Sequence, residues 1–166
     1  MAVRKVLSIP ESVLVEVAQP VGRVDDTARL LAADLLETMR ASPSCVGLAA
    51  PQIGVGLRAF VVDVSGHPKT RSCHGEFVLF DPELVTGELD DTAREGCMSV
   101  PDLTGDVRRP ERISVSGIGI EGERLTFETD GFEARAVLHE VDHLDGVLFL
   151  NRVAGPHGVF KRKVYR

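Results

Sequence analysis

FEARAVLHEVDHLDG, residues 132–146, is the stretch that decides how the chain is put together. Ala134, Leu138, Val141 and Leu144 or Asp145 recur with a 3.6-residue rhythm, and Gly146 stands where a C-terminal cap belongs, so this spacing predicts a helix from Phe132 to Asp145. Upstream the period is different. LRAFVVDV (Leu57 to Val64) and EFVLFDP (Glu76 to Pro82) are rich in β-branched and aromatic residues and read as strands, with Gly66, Pro68 and Gly75 in the loop between them. Arg112 to Ile120 alternates, Glu121-Gly122 can turn, and Glu123 to Thr129 alternates again, which predicts a hairpin. Nearer the N-terminus, Asp25 or Asp26 can cap a helix whose apolar face is Ala28, Leu31, Leu35 and Met39, widened by Leu36. Strands followed by one late helix imply an α+β fold, antiparallel strands packed around that helix, and not a βαβ repeat.

At 166 residues, with no repeat and no Pro/Gly-rich linker, the chain reads as a single domain spanning 1–166. Its 19 Lys+Arg against 25 Asp+Glu leave a net charge of −6, which excludes the basic footprint of a DNA-binding domain. Only the end departs from this: from Gly146 onward, Arg152, Lys161, Arg162, Lys163 and Arg166 meet no acidic side chain. Cys45, Cys73 and Cys97 are odd in number and lack CxxC spacing, which argues against a disulfide framework or a zinc ribbon and for a reducing compartment. No run of about 18 apolar residues could span a bilayer, so no membrane partner and a cytoplasmic location are expected.

On the late helix lies His139-Glu140-Val141-Asp142-His143, an HExxH pattern. Residues four apart share a helix face, so two imidazoles can grip one ion while Glu140 stands ready to take a proton from a water bound to it. Two solvated histidines are the plainer alternative. A catalytic ion generally takes three protein ligands and keeps an open position. The downstream third ligands of familiar HExxH peptidases are missing here: Phe149 stands where metzincins have histidine, and no glutamate follows Glu140. His67, His74, His157, Cys45, Cys73 and Cys97 remain, and Cys97 is the best of them because its thiolate suits Fe²⁺ or Zn²⁺ and Gly96 beside it permits close backbone approach.

Three stretches in order, CVGLAAPQIGV (Cys45 to Val55), EGCMS (Glu95 to Ser99) and HEVDH (His139 to His143), resemble the motifs GxGLAAxQ, EGCxS and HExDH of the peptide deformylase family. The resemblance spans the chain, and the opening from Pro10 to Val21 is loosely similar as well. It implies a peptide-deformylase-like fold and removal of the formyl group from the N-terminal formyl-methionine of new polypeptides, with release of formate. It implies Cys97, His139 and His143 as ligands of one Fe²⁺, for which Zn²⁺, Ni²⁺ or Co²⁺ could substitute, and Glu140 as the general base and acid. The Gln52 side-chain amide and the Met98 backbone N–H would meet the charge on the carbonyl oxygen, and Val46, Gly47, Leu48, Glu95 and Gly96 are the candidate substrate-binding positions. Asp142 points away from the ligand face and is expected either in an ion pair with Arg109, where relatives carry a basic residue, or as a solvated acid.

Departures from the family pattern bear on the substrate. Cys45 replaces the first glycine of the first motif, so a second thiol borders the expected pocket, and Leu138 replaces a glutamine before His139. Thr104 lies where many relatives have an arginine that binds the substrate backbone, with Arg108 a candidate to compensate. Cys45 and Thr104 motivate the alternative of a metallo-amidase acting on a small formylated or acylated non-peptide amine. A third reading is a catalytically idle relative that binds nascent chains or the ribosome through its basic tail, since some relatives dock on the ribosome with a C-terminal helix.

Overall fold

A computed structural model describes residues 2–163. Helix α1 (Asp26–Ala41) opens with the Asp25 carboxylate accepting from the Ala28 N–H at 3.0 Å, so Asp25 is the cap. Helix α2 (Gly131–Leu144) ends as expected, with Gly146 at φ +70°, where an added Cβ would meet the Val15 carbonyl oxygen at 2.7 Å. Five antiparallel strands run in the order β1 (Gly47–Ala49), β2 (Ala59–Val62), β3 (Phe77–Cys97), β4 (Val100–Ile118) and β5 (Arg124–Asp130). A sixth, β6 (Val159–Lys161), pairs with the far end of β4, through Leu103 to Gly105.

Helices cover both faces of β1 and β2. Phe60 and Val62 pack with Val137, Leu138 and Leu144 of α2, whereas Ala59 and Val61 pack with Leu31, Leu35 and Met39 of α1. That two-sided burial is why the β2 sequence reads as a continuous apolar run, without alternation. The α+β class and the central place of the late helix follow the sequence reading. The N-terminal segment then straps the site from outside: Leu7 N–H donates to the Gln52 carbonyl at 2.7 Å and Ile9 N–H to the Ser99 carbonyl at 3.0 Å.

The strands at 76–82 and 112–120 are far longer than their sequence signals. They are the inner ends of one hairpin, β3–β4, whose tip is the two-residue turn Met98-Ser99 between paired Cys97 and Val100. The β3 side of its middle, Glu83 to Thr92, is solvent-exposed and carries acids and Gly87 with little apolar alternation, and shifts of register between Phe80 and Glu83 and between Leu84 and Thr86 break the period further. The basic end also differs from the docking helix of some relatives: its described part, through Lys163, is an exposed strand and its continuation, while Arg166 lies outside the described residues.

Candidate active site

Two elements bring the chemistry together. Helix α2 presents His139, Glu140 and His143, and the tip of the β3–β4 hairpin lays Cys97 beside them. One ligand atom from each of Cys97, His139 and His143 lies within 4.8 Å of the others, and Cys97 Sγ is 3.3 Å from His143 Nε2. Ligands about 2.0–2.3 Å from a tetrahedral ion stand roughly 3.5 Å apart, so the trio fits one. His67 instead stacks on Phe132, the His74 backbone N–H and ring both engage Glu133, and Cys73 is exposed, so none of these joins the cluster.

Glu95 organises the trio. Its Oε2 accepts from Arg109 Nε and Arg135 Nη1, each at 2.7 Å, and its Oε1 accepts from Arg109 Nη2 at 3.0 Å and lies 2.9 Å from His139 Nδ1. With Nδ1 committed to that carboxylate, Nε2 of His139 is the nitrogen left to face an ion. Burial works against the ionised Glu95, but the bonds from His139 and Arg109 outweigh it and hold its pKa at about 2. Arg109 continues to Asp142 Oδ2 at 2.8 Å, and Arg152 Nε reaches the same oxygen at 2.6 Å. The expected Asp142–Arg109 ion pair is therefore present, both side chains being buried. Glu95, an expected substrate-binding position, lines the cleft and spends its carboxylate on holding His139 and two arginines.

Glu140 is buried beside the ligands, and its Oε2 has no hydrogen-bond partner among the described residues. Burial first, and then the nearby charges of Glu95 and Asp142, push its pKa up to about 7 against the pull of His139 and Arg109, a poise suited to taking and returning a proton near neutral pH. Burial lowers the pKa of His139 too, but Cys97 and Glu95 more than offset it and hold it well above the ordinary value. Gly47 makes room for Glu140: a Cβ there would lie 2.7 Å from Glu140 Oε1.

Gln52 closes the other side. Its Oε1 accepts from the Ala49 N–H at 3.0 Å, while its Nε2 donates to Ser99 Oγ at 3.1 Å and lies 3.6 Å from Cys97 Sγ. Gln52, Cys97, His139 and Glu140 line a cleft of about 950 Å³ that also takes in Cys45, Val46, Gly47, Gly96, Met98 and Thr104. Leu48 is not part of this lining, because strand alternation sends its fully buried side chain to the α1 face. Cys45 borders the cleft as expected, its thiol donating to the Gly47 carbonyl at 3.1 Å, and burial pushes its pKa up to about 12. Arg108 pairs with Asp90 at 2.8 Å on the exposed hairpin and does not stand in for the arginine missing at Thr104. Sequence reasoning missed Arg135, one helical turn before His139 on the same face, and Arg162, whose Nη2 donates to the Cys97 carbonyl at 3.3 Å. Helical spacing could have marked the first; no local signal marks the second.

Comparison with known proteins agrees with this geometry. The family model for polypeptide deformylase matches residues 3–158. A peptide deformylase of Desulforudis audaxviator is 42% identical over 165 residues, covering 98% of this chain and 99% of the relative. A class I type b peptide deformylase from Acinetobacter baumannii, crystallised with Met-Ala-Ser, superposes with a TM-score of 0.85 at 33% identity, covering 92% of this chain and 100% of that one. The Ehrlichia chaffeensis enzyme in complex with actinonin gives a TM-score of 0.86 at 32% identity, covering 93% and 90%. The chain belongs to the polypeptide deformylase family, and is a metal-dependent hydrolase that removes the formyl group from N-formylmethionyl peptides.

Proposed function

We propose that Cys97, His139 and His143 hold one Fe²⁺ and that Glu140, Gln52 and the Met98 backbone N–H carry out the reaction around it. The observation that carries this reading is the convergence of the three ligand atoms within 4.8 Å, with a buried, partnerless Glu140 oxygen on the same helix turn. When bound, the ion supplies Lewis acidity, which polarises a carbonyl and makes water acidic near neutral pH. Glu140 takes the proton of the attacking water as its oxygen bonds to the formyl carbon. Gln52 Nε2 and the Met98 N–H donate to the carbonyl oxygen as it gains charge, and Gln52 is preorganised for this by its bond from Ala49. Glu140 then passes the proton to the departing nitrogen, the C–N bond breaks, and formate and a free amino terminus are left.

Gly47 and Gly96 lend backbone close to the peptide, Val46 lends cleft surface, and Leu48 contributes through its main chain alone. A Cys₁His₂ donor set is acceptable to iron, zinc, nickel or cobalt, and the thiolate favours iron or zinc over harder ions. Nascent chains are the natural substrate in this reading, and the cytoplasm the place of action. Three free cysteines accord with a reducing compartment, and no helix among the described residues is long and apolar enough to cross a membrane. We also propose a ribosome contact at the exposed residues Lys161 to Lys163, whose positive charge suits RNA; cosedimentation with ribosomes at low salt tests it.

The deciding experiment is anaerobic purification, metal analysis and a formate-release assay on formyl-Met-Ala-Ser, with Glu140→Gln alongside. About one ion per chain in both proteins is expected, with turnover falling by roughly 10²–10⁴ in the variant. Near-normal turnover in the variant would refute the role of Glu140, and absence of bound ion in both would refute the ligand set.

A further inference from the structure

The basic end of the chain forms one wall of the active-site cleft. Strand β6 pairs Thr104 with Phe160, and just beyond it the Arg162 N–H donates to the Asp102 carbonyl at 2.9 Å. The Arg162 guanidinium then folds over the hairpin tip onto the Cys97 carbonyl, into space that exists because Gly96 has no side chain: a Cβ there would stand 2.7 Å from Arg162 Nη2. Lys161, Arg162 and Lys163 line this side of the cleft, and Lys69 lines it from the loop between β2 and β3.

The balance of charge at this mouth is opposite to that of the whole protein. Arg94, also on the rim, is committed to Asp106 at 2.8 Å and to the face of Phe160 at 3.7 Å. Among the ion pairs of the described residues, none involves Lys69, Lys161, Arg162 or Lys163. The acids lining the cleft are Glu95 and Glu140, both buried, and Glu95 is already bonded to Arg109, Arg135 and His139. A chain of net charge −6 thus keeps around one opening four cations with no acidic partner among the described residues, Arg162 resting on the Cys97 carbonyl and Lys69 lying 6.0 Å from the Phe132 ring.

We propose that Arg162, supported by Lys161, Lys163 and Lys69, recognises a carboxylate on the substrate beyond its formyl-methionyl residue, and so sets which formyl peptides are processed fastest. This rests on the deformylase reading of the site. A peptide whose formyl group lies at the Cys97–His139–His143 trio leaves the cleft past Arg162, and each extended residue advances about 3.5 Å. The carboxylate one or two residues past the methionine is the one placed to meet a guanidinium that rests on the Cys97 carbonyl. An acidic side chain and a short peptide's own C-terminus offer the same group. Arg162 acts by binding and not on the reacting atoms, so its effect belongs to KM.

The test uses the metal-loaded enzyme at low ionic strength on formyl-Met-Ala-Glu-amide, formyl-Met-Ala-Lys-amide, formyl-Met-Ala-Ser-amide and formyl-Met-Ala-Ser with a free C-terminus. The glutamate peptide should exceed the neutral amide by about fivefold in kcat/KM, through KM, and the lysine peptide should fall below it by a similar factor, as partly exposed charge pairs allow. A gain for the free acid as well assigns recognition to any carboxylate; a gain for glutamate alone assigns it to the side chain. The preference should shrink in 0.5 M salt, shrink in Arg162→Gln and in the Lys161→Gln/Lys163→Gln double variant, and persist in Arg162→Lys. Direct titration with the deformylated products Met-Ala-Glu-amide and Met-Ala-Lys-amide reads the same preference without turnover, so a failure of deformylase activity stays separate from a failure of this proposal. Equal kcat/KM on all four substrates together with equal product binding would overturn it. So would loss of ribosome cosedimentation in the double variant with peptide preference unchanged, which would leave the strand as an RNA contact.

Discussion

Replacing Glu95 by glutamine removes a buried negative charge from between two buried arginines, and its cost can be worked from the site. Arg109 and Arg135 together make three bonds to this carboxylate, and His139 lies against it as well. Glutamine keeps one acceptor oxygen but brings two donors toward groups that themselves donate, so at least one arginine is left poorly paired. Arg109 retains Asp142, and Arg135 retains the Val107 and Asp91 carbonyls, which limits the damage. Breaking a buried ion pair by removing one partner costs about 3–5 kcal/mol. An independent route gives a similar figure: a carboxyl group held at about 2 in the folded chain, against an ordinary value near 4.5, is worth roughly 3 kcal/mol when ionised. The folded pKa is the lower one, so this stability is fully present above the unfolded value of about 4.3 and is lost as pH falls toward 2. Urea unfolding of the wild-type chain and of Glu95→Gln, both with chelator so that release of an ion does not contribute, measures the difference directly. At pH 7 the variant should be less stable by about 3–5 kcal/mol, a fall in Tm of roughly 6–20 °C for a domain of this size. The gap should narrow steadily between pH 5 and pH 2. A gap below about 1 kcal/mol at pH 7, or one that does not close in acid, would refute the view of Glu95 as the keystone under His139.

Three further outcomes follow from the same geometry. Gly47→Ala would place a Cβ 2.7 Å from Glu140 Oε1, and it should lower kcat on formyl-Met-Ala-Ser by about 10-fold to 100-fold with the ion still bound, because a misplacement near 1 Å at a reacting group costs that much; an unchanged kcat contradicts the close approach. Iodoacetamide at pH 8, applied to the zinc-loaded protein, should add one label, at exposed Cys73. Cys45, pushed up to about 12 by burial, and buried Cys97 should stay unmodified, as peptide mass mapping would show; rapid labelling of Cys45 would rule out its burial behind the Gly47 carbonyl. Removing the ion with chelator should lower Tm by roughly 5–10 °C, since a ligand present at a hundred times its Kd contributes about 2.7 kcal/mol to the folded state; coincident melting curves would mean that the Cys97–His139–His143 trio holds no ion in the folded chain.

What could be read in advance divides along a physical line. Where one face of an element is buried, its period is printed in the residues: α1, α2 and the inner ends of β3 to β5 were legible because Leu35, Leu138 or Val115 must face a core. HExxH was legible for a related reason, because the helix itself sets which side chains share a face, whereas the Arg109–Asp142 pair was anticipated from the family resemblance. The hairpin was not legible beyond those ends, since Glu83 to Thr92 is held by backbone pairing and exposed to water, while Glu95, Val107 and Arg109 are buried by partners distant in sequence. Yet that hairpin is what carries Cys97 from the far side of the sheet to the histidines. The roles of Glu95 and Arg162 were hidden for the same cause, because their partners lie 44 and 65 positions away. A residue's type and its near neighbours reveal what chemistry it can do; which partner it meets depends on a strand whose register is set by hydrogen bonds that every residue can make. For this site, the donor set was therefore open to local reading, and the groups that orient it and select its substrate were not.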